Sequence, residues 1–352
     1  MNIKKALILC TVVFCTLAGS MGQTAPITYS GTPFKVNLVW QANTDKPAND
    51  LTQLPSVEGV NIVSPCWFSI IDKNGQIKAK ASPEEAAKLR AKGYKVWALI
   101  DNSFDHTLTH NLLNDEKARN NVIRNMVTYA DEYKLDGYNL DFENIHDTDK
   151  TKLTQFVQDI ANALREKKVT LSMDITVPSN EPYWSKCFDR QALGNICDYI
   201  MVMTYDQYHP AMHKAGSTAA LNWVDTKVQE TLQYIPAKKL VLGLPFYARL
   251  WSTKDGKTKG KTIQMEAMEN LIIAHNIQPI WLPELGQYYL TYKQGSTTYE
   301  VWQEDKYSLQ EKVNLVEKYK LAGIASWRKG FETSDIWPIL HDALAGRKRV
   351  QN

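Results

Sequence analysis

Cysteine, charge imbalance and metal-ligand spacing are all scarce in this chain. Of its five cysteines, Cys10 and Cys15 lie in an apolar N-terminal stretch, leaving Cys66, Cys187 and Cys197 for the rest of the 352 residues. Three cysteines cannot all pair, which excludes a disulfide-scaffolded fold. Cys187 and Cys197 are close enough in sequence to form one bridge in an oxidising compartment, and three free buried thiols are the alternative. The cysteines and seven histidines show no CxxC or HExxH spacing, so neither a metal nor a cofactor is expected. The 41 basic and 38 acidic residues leave a formal charge of +3 and form no basic block, too little to argue for nucleic acid. No internal repeat occurs, and no tract is biased enough to suggest disorder.

Long apolar runs are also missing, with one exception. Lys4 and Lys5 precede an apolar stretch from Ala6 to Gly19, followed by small residues, which is the layout of a secretory signal. The stretch is too short to span a bilayer comfortably, and nothing later is long or apolar enough to try. Cleavage near Gly22 is expected, giving a signal over 1–22 and a mature, exported chain over 23–352 with no membrane span; an uncut anchor is the alternative. A lipoprotein signal would place cysteine after Leu17-Ala18-Gly19, where Ser20 stands instead.

What the chain has is alternation. Short β-rich apolar runs at 35–40, 60–64, 95–100, 137–141, 169–174, 199–203, 240–244 and 323–326 are separated by helical patterns. Ser82-Pro83-Glu84-Glu85 supplies an N-cap, a proline at the first helical position and a capping-box glutamate, and Gly93 closes that helix. Leu153, Phe156, Val157, Ile160, Ala161 and Leu164 recur on one helical face, as do Ala118, Val122, Ile123, Met126 and Val127. Eight strands alternating with helices predict an α/β fold, a (β/α)8 TIM barrel, with a doubly wound sheet as the alternative. The link from the seventh strand to the eighth, residues 245–322, is far longer than the usual handful. It predicts a small α+β insertion at about 252–305, with a helix over Met265–His275 and a hairpin around Gln294-Gly295. The hairpin's Tyr288, Tyr289, Tyr292, Tyr299 and Trp302 could be sugar platforms, though cross-strand packing is the commoner use.

The chemistry concentrates in Asp136-Gly137-Tyr138-Asn139-Leu140-Asp141-Phe142-Glu143-Asn144. On a fourth barrel strand, alternation puts Asn139, Asp141 and Glu143 on one side, roughly 6–7 Å apart along the strand. Three polar side chains facing a barrel interior are costly unless they bond one another or a ligand. Clustered carboxylates also raise each other's proton affinity, which favours a protonated acid.

Here the chain resembles glycoside hydrolase family 18, whose signature DGxDxDxE ends the fourth barrel strand. Asn139 replaces one of its aspartates. The resemblance continues in order through Met201-Val-Met-Thr-Tyr-Asp206, Gly243-Leu-Pro-Phe-Tyr-Ala-Arg249 and Gly323-Ile-Ala-Ser-Trp327, like the family's sixth, seventh and eighth strands. It implies Glu143 as the acid, Asp141 and Tyr205 as the residues that hold the substrate's acetamido group, and Asp206 as a contact to sugar hydroxyls. It also implies Trp327 beneath the sugar at the cleavage point, with Asn139, Met203 and Arg249 as further substrate-binding positions. The implied reaction has no enzyme nucleophile: the 2-acetamido carbonyl attacks the anomeric carbon and configuration is retained. An Asp at 139 could share a proton with Asp141, whereas an amide offers only fixed hydrogen bonds.

The pattern NxDFEN and the segment Val63-Ser-Pro-Cys-Trp-Phe68 resemble the spore-cortex-lysing N-acetylglucosaminidase branch more than chitinases. The expected partner is therefore an N-acetylglucosamine-containing wall polysaccharide, peptidoglycan first and chitin second, cleaved by a monomer outside the cell or in its envelope. An inactive, lectin-like barrel is the alternative of another class, disfavoured by Glu143. Arg249 and Arg328 are candidates to meet the acid of a muramyl group; ion pairing with carboxylates such as Asp174 or Asp206 is their structural alternative.

Overall fold

The computed structural model describes residues 35–42 and 49–347; the signal-like segment 1–22 lies outside them. Strands β1 (Val36–Gln41) and β2 (Ile62–Pro65) are followed by a short hairpin, β3 (Phe68–Ile70) with β4 (Ile77–Ala79). Then come β5 (Lys95–Asp101), β6 (Gly137–Asp141), β7 (Thr170–Thr176), β8 (Tyr199–Met203) and β9 (Leu240–Pro245). A second sheet, β10 (Tyr247–Lys254), β11 (Lys257–Gln264), β12 (Ile280–Leu282), β13 (Gln287–Gln294) and β14 (Thr297–Trp302), precedes β15 (Gly323–Trp327). Parallel pairing runs β1–β2–β5–β6–β7–β8–β9–β15 and returns to β1. The eight strands close, so the fold is a (β/α)8 barrel and the doubly wound alternative falls.

The helices are α1 (Pro83–Ala91), α2 (His106–Asn114), α3 (Glu116–Tyr133), α4 (Lys150–Glu166), α5 (Arg190–Ile196), α6 (Leu221–Leu232), α7 (Met265–His275), α8 (Lys306–Tyr319) and α9 (Ile336–Leu344). All but α7 belong to the barrel; α7 lies between β11 and β12. At α1 the Ser82 N–H donates to Glu85 Oε2 at 2.6 Å, and Gly93 takes a φ of +90° just past the end. The six apolar positions read along α4 are its buried ones, each of the five larger side chains contributing about 1.5–3 kcal/mol on leaving water and Ala161 less.

Strand alternation divides the core in two. Val36, Leu38, Trp40, Ile62, Trp97, Leu99, Met201, Val241 and Ala325 fill the barrel interior, while the opposite faces of the strands pack under the helices. The Asp-Gly that opens the carboxylate motif has a packing cause. A Cβ on Gly137 would meet the Trp97 indole at 2.6 Å, and Asp136 Oδ2 accepts from the Val96 N–H at 2.9 Å, pinning β6 to β5.

The insertion begins at Tyr247 rather than near 252, because β10 pairs along its length with β11, a strand of mostly exposed polar residues. Its later hairpin aromatics face one another. Tyr289 opposes Trp302 and Tyr292 opposes Tyr299, with ring centroids 5.1 and 4.7 Å apart, and Tyr288 packs on Trp281 at 4.9 Å. Cross-strand packing accounts for them. A buried network ties the sheet to the barrel: Gln287 Nε2 donates to Glu304 at 2.6 Å, Lys312 Nζ reaches the same carboxylate at 2.9 Å, and Ser217 Oγ donates to Gln287 Oε1 at 2.5 Å.

Candidate active site

The polar residues collect where the parallel strands end, the face on which barrels of this kind place their chemistry. Asn139 is fully buried in the interior. Its Oδ1 accepts from the Trp40 indole at 2.7 Å and from Ser64 Oγ at 3.3 Å, while its Nδ2 donates to Ser172 Oγ at 3.1 Å and Asp174 Oδ1 at 2.8 Å. Every hydrogen-bonding site of the amide is thus engaged by protein, so Asn139 is placed under the pocket rather than free to bind sugar.

Asp141 ends β6 and is 6% exposed, and its Oδ1 is buried with no partner among the described residues. An orphaned buried acceptor is costly until a ligand donor reaches it. Burial pushes its carboxyl well above the usual range, and the charges of Glu143, Asp174 and Asp101 push it further. Glu143 lies two residues on, partly buried. Burial, helped by the charge of Asp206, raises it to about 7. Its backbone is clamped by Asn102, which receives the Glu143 N–H at 3.1 Å and donates to the Glu143 carbonyl at 2.8 Å. Asn102 is fully buried and also donates to Thr109 Oγ1 at 2.8 Å. Nothing in the sequence singled it out, since its role depends on β5 and β6 being neighbours.

Tyr205 and Asp206 follow β8, whose last residue is Met203. Burial, with Tyr247 and the carboxylates of Asp174, Asp141 and Glu143, holds the Tyr205 phenol well above its ordinary value, so it stays a neutral donor. Asp206 is exposed and accepts from the Tyr247 hydroxyl at 2.9 Å and from Arg249 at 2.5 Å. Arg249 therefore makes the ion pair named as its structural alternative, and its guanidinium stacks 4.9 Å over Tyr247. Arg328 makes no ion pair among the described residues; its guanidinium lies 4.1 Å over the Phe331 ring. Trp327, at the end of β15, has its ring 6.0 Å from that of Trp40. The structure thus brings Asp141, Glu143, Tyr205, Asp206, Met203 and Trp327 to one end of the barrel.

Sequence reading also missed an aromatic rim beside Glu143. Asn144 Nδ2 donates to the Phe104 carbonyl at 2.8 Å, and the Ile145 N–H donates to the Tyr183 carbonyl at 2.9 Å. The rings of His106 and Tyr183 lie 4.9 Å from that of His146, and Phe104, Tyr183 and Trp184 are exposed. These residues come from the segments that follow β5, β6 and β7 and carry no shared sequence pattern.

The three cysteines among the described residues are free thiols, so Cys187 and Cys197 do not pair; burial pushes each of these two up to about 12. Among the described residues, no group of three or more His, Cys, Asp or Glu is arranged to hold a metal ion. No helix among them is long and apolar enough to cross a membrane.

A closed parallel barrel with clustered carboxylates, one protonatable near neutrality, at its strand ends has the make-up of a glycoside hydrolase. The model for glycosyl hydrolases family 18 matches residues 40–331, and the chain belongs to that family. It is similar to the uncharacterized glycosylase YvbX of Bacillus subtilis, 28% identical over 280 residues that cover 76% of this chain and 80% of that protein. The cortical fragment-lytic enzyme of Bacillus anthracis is 26% identical over 291 residues, 78% of this chain and 66% of that enzyme's length. Among solved structures, the spore cortex-lytic enzyme SleL of Bacillus megaterium superposes with a TM-score of 0.78 at 21% identity, covering 89% of this chain and 75% of that one. A chitinase of Chromobacterium violaceum gives 0.79 at 21% identity, covering 89% of this chain and all of that one (100%). At such identities the structural likeness speaks for the fold, while the family match makes the chain a glycoside hydrolase.

Proposed function

We propose that this enzyme is exported and cleaves peptidoglycan glycan strands on the reducing side of N-acetylglucosamine, with retention, by a substrate-assisted mechanism. The observation that carries the proposal is the pairing of Asp141, whose buried Oδ1 has no partner among the described residues, with Glu143, raised to about 7, at one barrel mouth. Glu143 gives its proton to the glycosidic oxygen as the bond to the anomeric carbon breaks. The acetamido carbonyl oxygen of the same sugar takes the leaving group's place, starting at high effective concentration. Asp141 faces the acetamido N–H and offsets the positive charge that develops on the resulting oxazolinium ion, and the neutral Tyr205 hydroxyl donates to the acetamido oxygen. Water then opens the ion at the anomeric carbon and returns a proton to Glu143.

The acid must be protonated to act, and a carboxyl raised to about 7 keeps its proton below that pH and loses it above. The expected kcat/KM profile therefore falls through a one-proton limb as pH rises past about 7. A profile flat from about pH 5 to 9 would assign the proton to another group.

Peptidoglycan is preferred to chitin because the named cortical enzymes are relatives and because Arg328, which stacks on Phe331 and has no carboxylate partner among the described residues, can meet the lactyl acid or peptide of muramic acid. Chitin carries no such group. Rates compared on purified cortex or vegetative peptidoglycan and on chitin oligomers should favour peptidoglycan. Efficient chitin cleavage with no muropeptide release would make the enzyme a chitinase.

A further inference from the structure

The carboxylate missing at position 139 has a counterpart on the next strand. Asn139 is the register partner of Ser172, and Leu140 that of Met173, so the next step up the barrel sets Asp141 beside Asp174, on strands about 5 Å apart. Asp101 flanks Asp141 on the other side, but that residue is already served: Ser69 Oγ donates to it at 2.6 Å and Lys80 lies at 3.6 Å. Asp174 is 2% exposed and its protein donor is the Asn139 amide at 2.8 Å. The direction of that amide is forced. An indole N–H can only donate, and Trp40 delivers it to Asn139 Oδ1, so the NH2 end must face Ser172 and Asp174.

Among the described residues, no lysine or arginine is ion-paired with Asp141, Asp174 or Glu143; the nearby cations Lys80 and Arg249 are engaged by Asp101 and Asp206. The other titratable neighbours are Cys66 beyond β2, and Tyr205 and Tyr247 after β8 and at the start of β10, none of which brings a positive charge, and Arg328 after β15, whose guanidinium lies over the Phe331 ring and faces Cys66. Three carboxyls in one mouth, two buried and one partly buried, with no cation paired to any of them among the described residues, cannot all ionise.

We propose that Asp174 is a positioning residue that takes the place of the absent aspartate, holding with Asp141 one shared proton. In the free enzyme the proton lies between the two. As positive charge grows on the acetamido nitrogen, the O–H bond on Asp141 gives way to one on Asp174, and Asp141 faces the charge as a full carboxylate. No proton leaves the site. This rests on the substrate-assisted reading above. Burial raises Asp174 well above the usual carboxylate range, opposed by the Asn139 hydrogen bond and reinforced by Glu143.

The test compares Asp174→Asn, Asn139→Asp and the double exchange Asn139→Asp/Asp174→Asn with wild type. Two quantities are read: the pH profiles of kcat and KM on an acetylglucosamine oligomer, and the infrared band of protonated carboxyl groups in the free protein at neutral pH. Asp174→Asn should lower kcat about a hundredfold with a smaller change in KM, displace the pH profile and remove infrared intensity. The double exchange should restore intensity, profile and most of kcat, because a titratable group stands beside Asp141 again. If Asp174→Asn does not fold, Asn139→Asp carries the test, since an added carboxyl in a proton-sharing group must shift the profile. An unchanged profile in either single variant, or a protonated-carboxyl band indifferent to position 174, would overturn the assignment. The infrared reading needs no substrate. Failure of the wild type to cleave any acetamido glycan would therefore count against the proposed function and leave the proton assignment to be judged separately.

Discussion

Replacing Glu143 with glutamine should lower turnover by roughly 10²–10⁴-fold or more and leave glycan binding largely intact. Glutamine keeps the size and the hydrogen-bonding capacity of the side chain but has no proton to give. The backbone at 143 is held from both its N–H and its carbonyl by Asn102, so the change isolates the proton rather than the position. Asp141→Asn should be comparably severe, and sugars lacking the 2-acetamido group should not be cleaved. Steady-state rates beside a binding isotherm on the same oligomer check this. Near wild-type turnover in Glu143→Gln would mean that another group supplies the acid.

The second large effect lies away from the chemistry. Lys312 and Glu304 form an ion pair with both side chains fully buried, 2.9 Å apart. Lys312→Met should destabilise the protein by about 3–5 kcal/mol, because it strands a buried carboxylate whose remaining donors are neutral. For a domain of this size that corresponds to a melting temperature lower by roughly 5–8 °C. Replacing both charges, with Lys312→Met and Glu304→Leu together, should recover part of the loss, since neither charge is then left uncompensated. Calorimetry on the three proteins measures it, and a melting temperature unmoved by Lys312→Met would show the pair to be dispensable.

The barrel was legible because strands buried on both faces are written as apolar runs that few other structures need. Each of the eight runs at 35–40 through 323–326 became a barrel strand. The first hairpin of the insertion was not legible. Lys257, Lys259 and Lys261 stand on a strand with little burial on either face, so no alternation marks it, and only pairing with β10 defines it. The motif carboxylates could be found because they share one strand. Asn102 and Asp174 come from different strands and acquire their roles when closure of the barrel brings those strands together. In the sequence Asp174 stands out only as one possible ion-pair partner of Arg249 or Arg328, whereas the structure bonds it to Asn139.

The clamps around Glu143 bear on how this protein can diversify. The Asn102 side chain on the Glu143 main chain, the Asn144 side chain on the Phe104 carbonyl and the Ile145 N–H on the Tyr183 carbonyl lash the segments after β5, β6 and β7 together. Each bond needs its partners at a fixed place along the chain, and two of them also need the asparagines at 102 and 144, so one residue added or lost between β5 and α2, or between β6 and α4, would put these bonds out of step. Descendants of this sequence can recolour the rim by substitution at Phe104, His106, His146, Tyr183 and Trp184 while the loop lengths stay fixed. Changes of length are left to the edges of the second sheet, such as the exposed tips at Gly256 and Gly295, where even a Cβ would meet nothing.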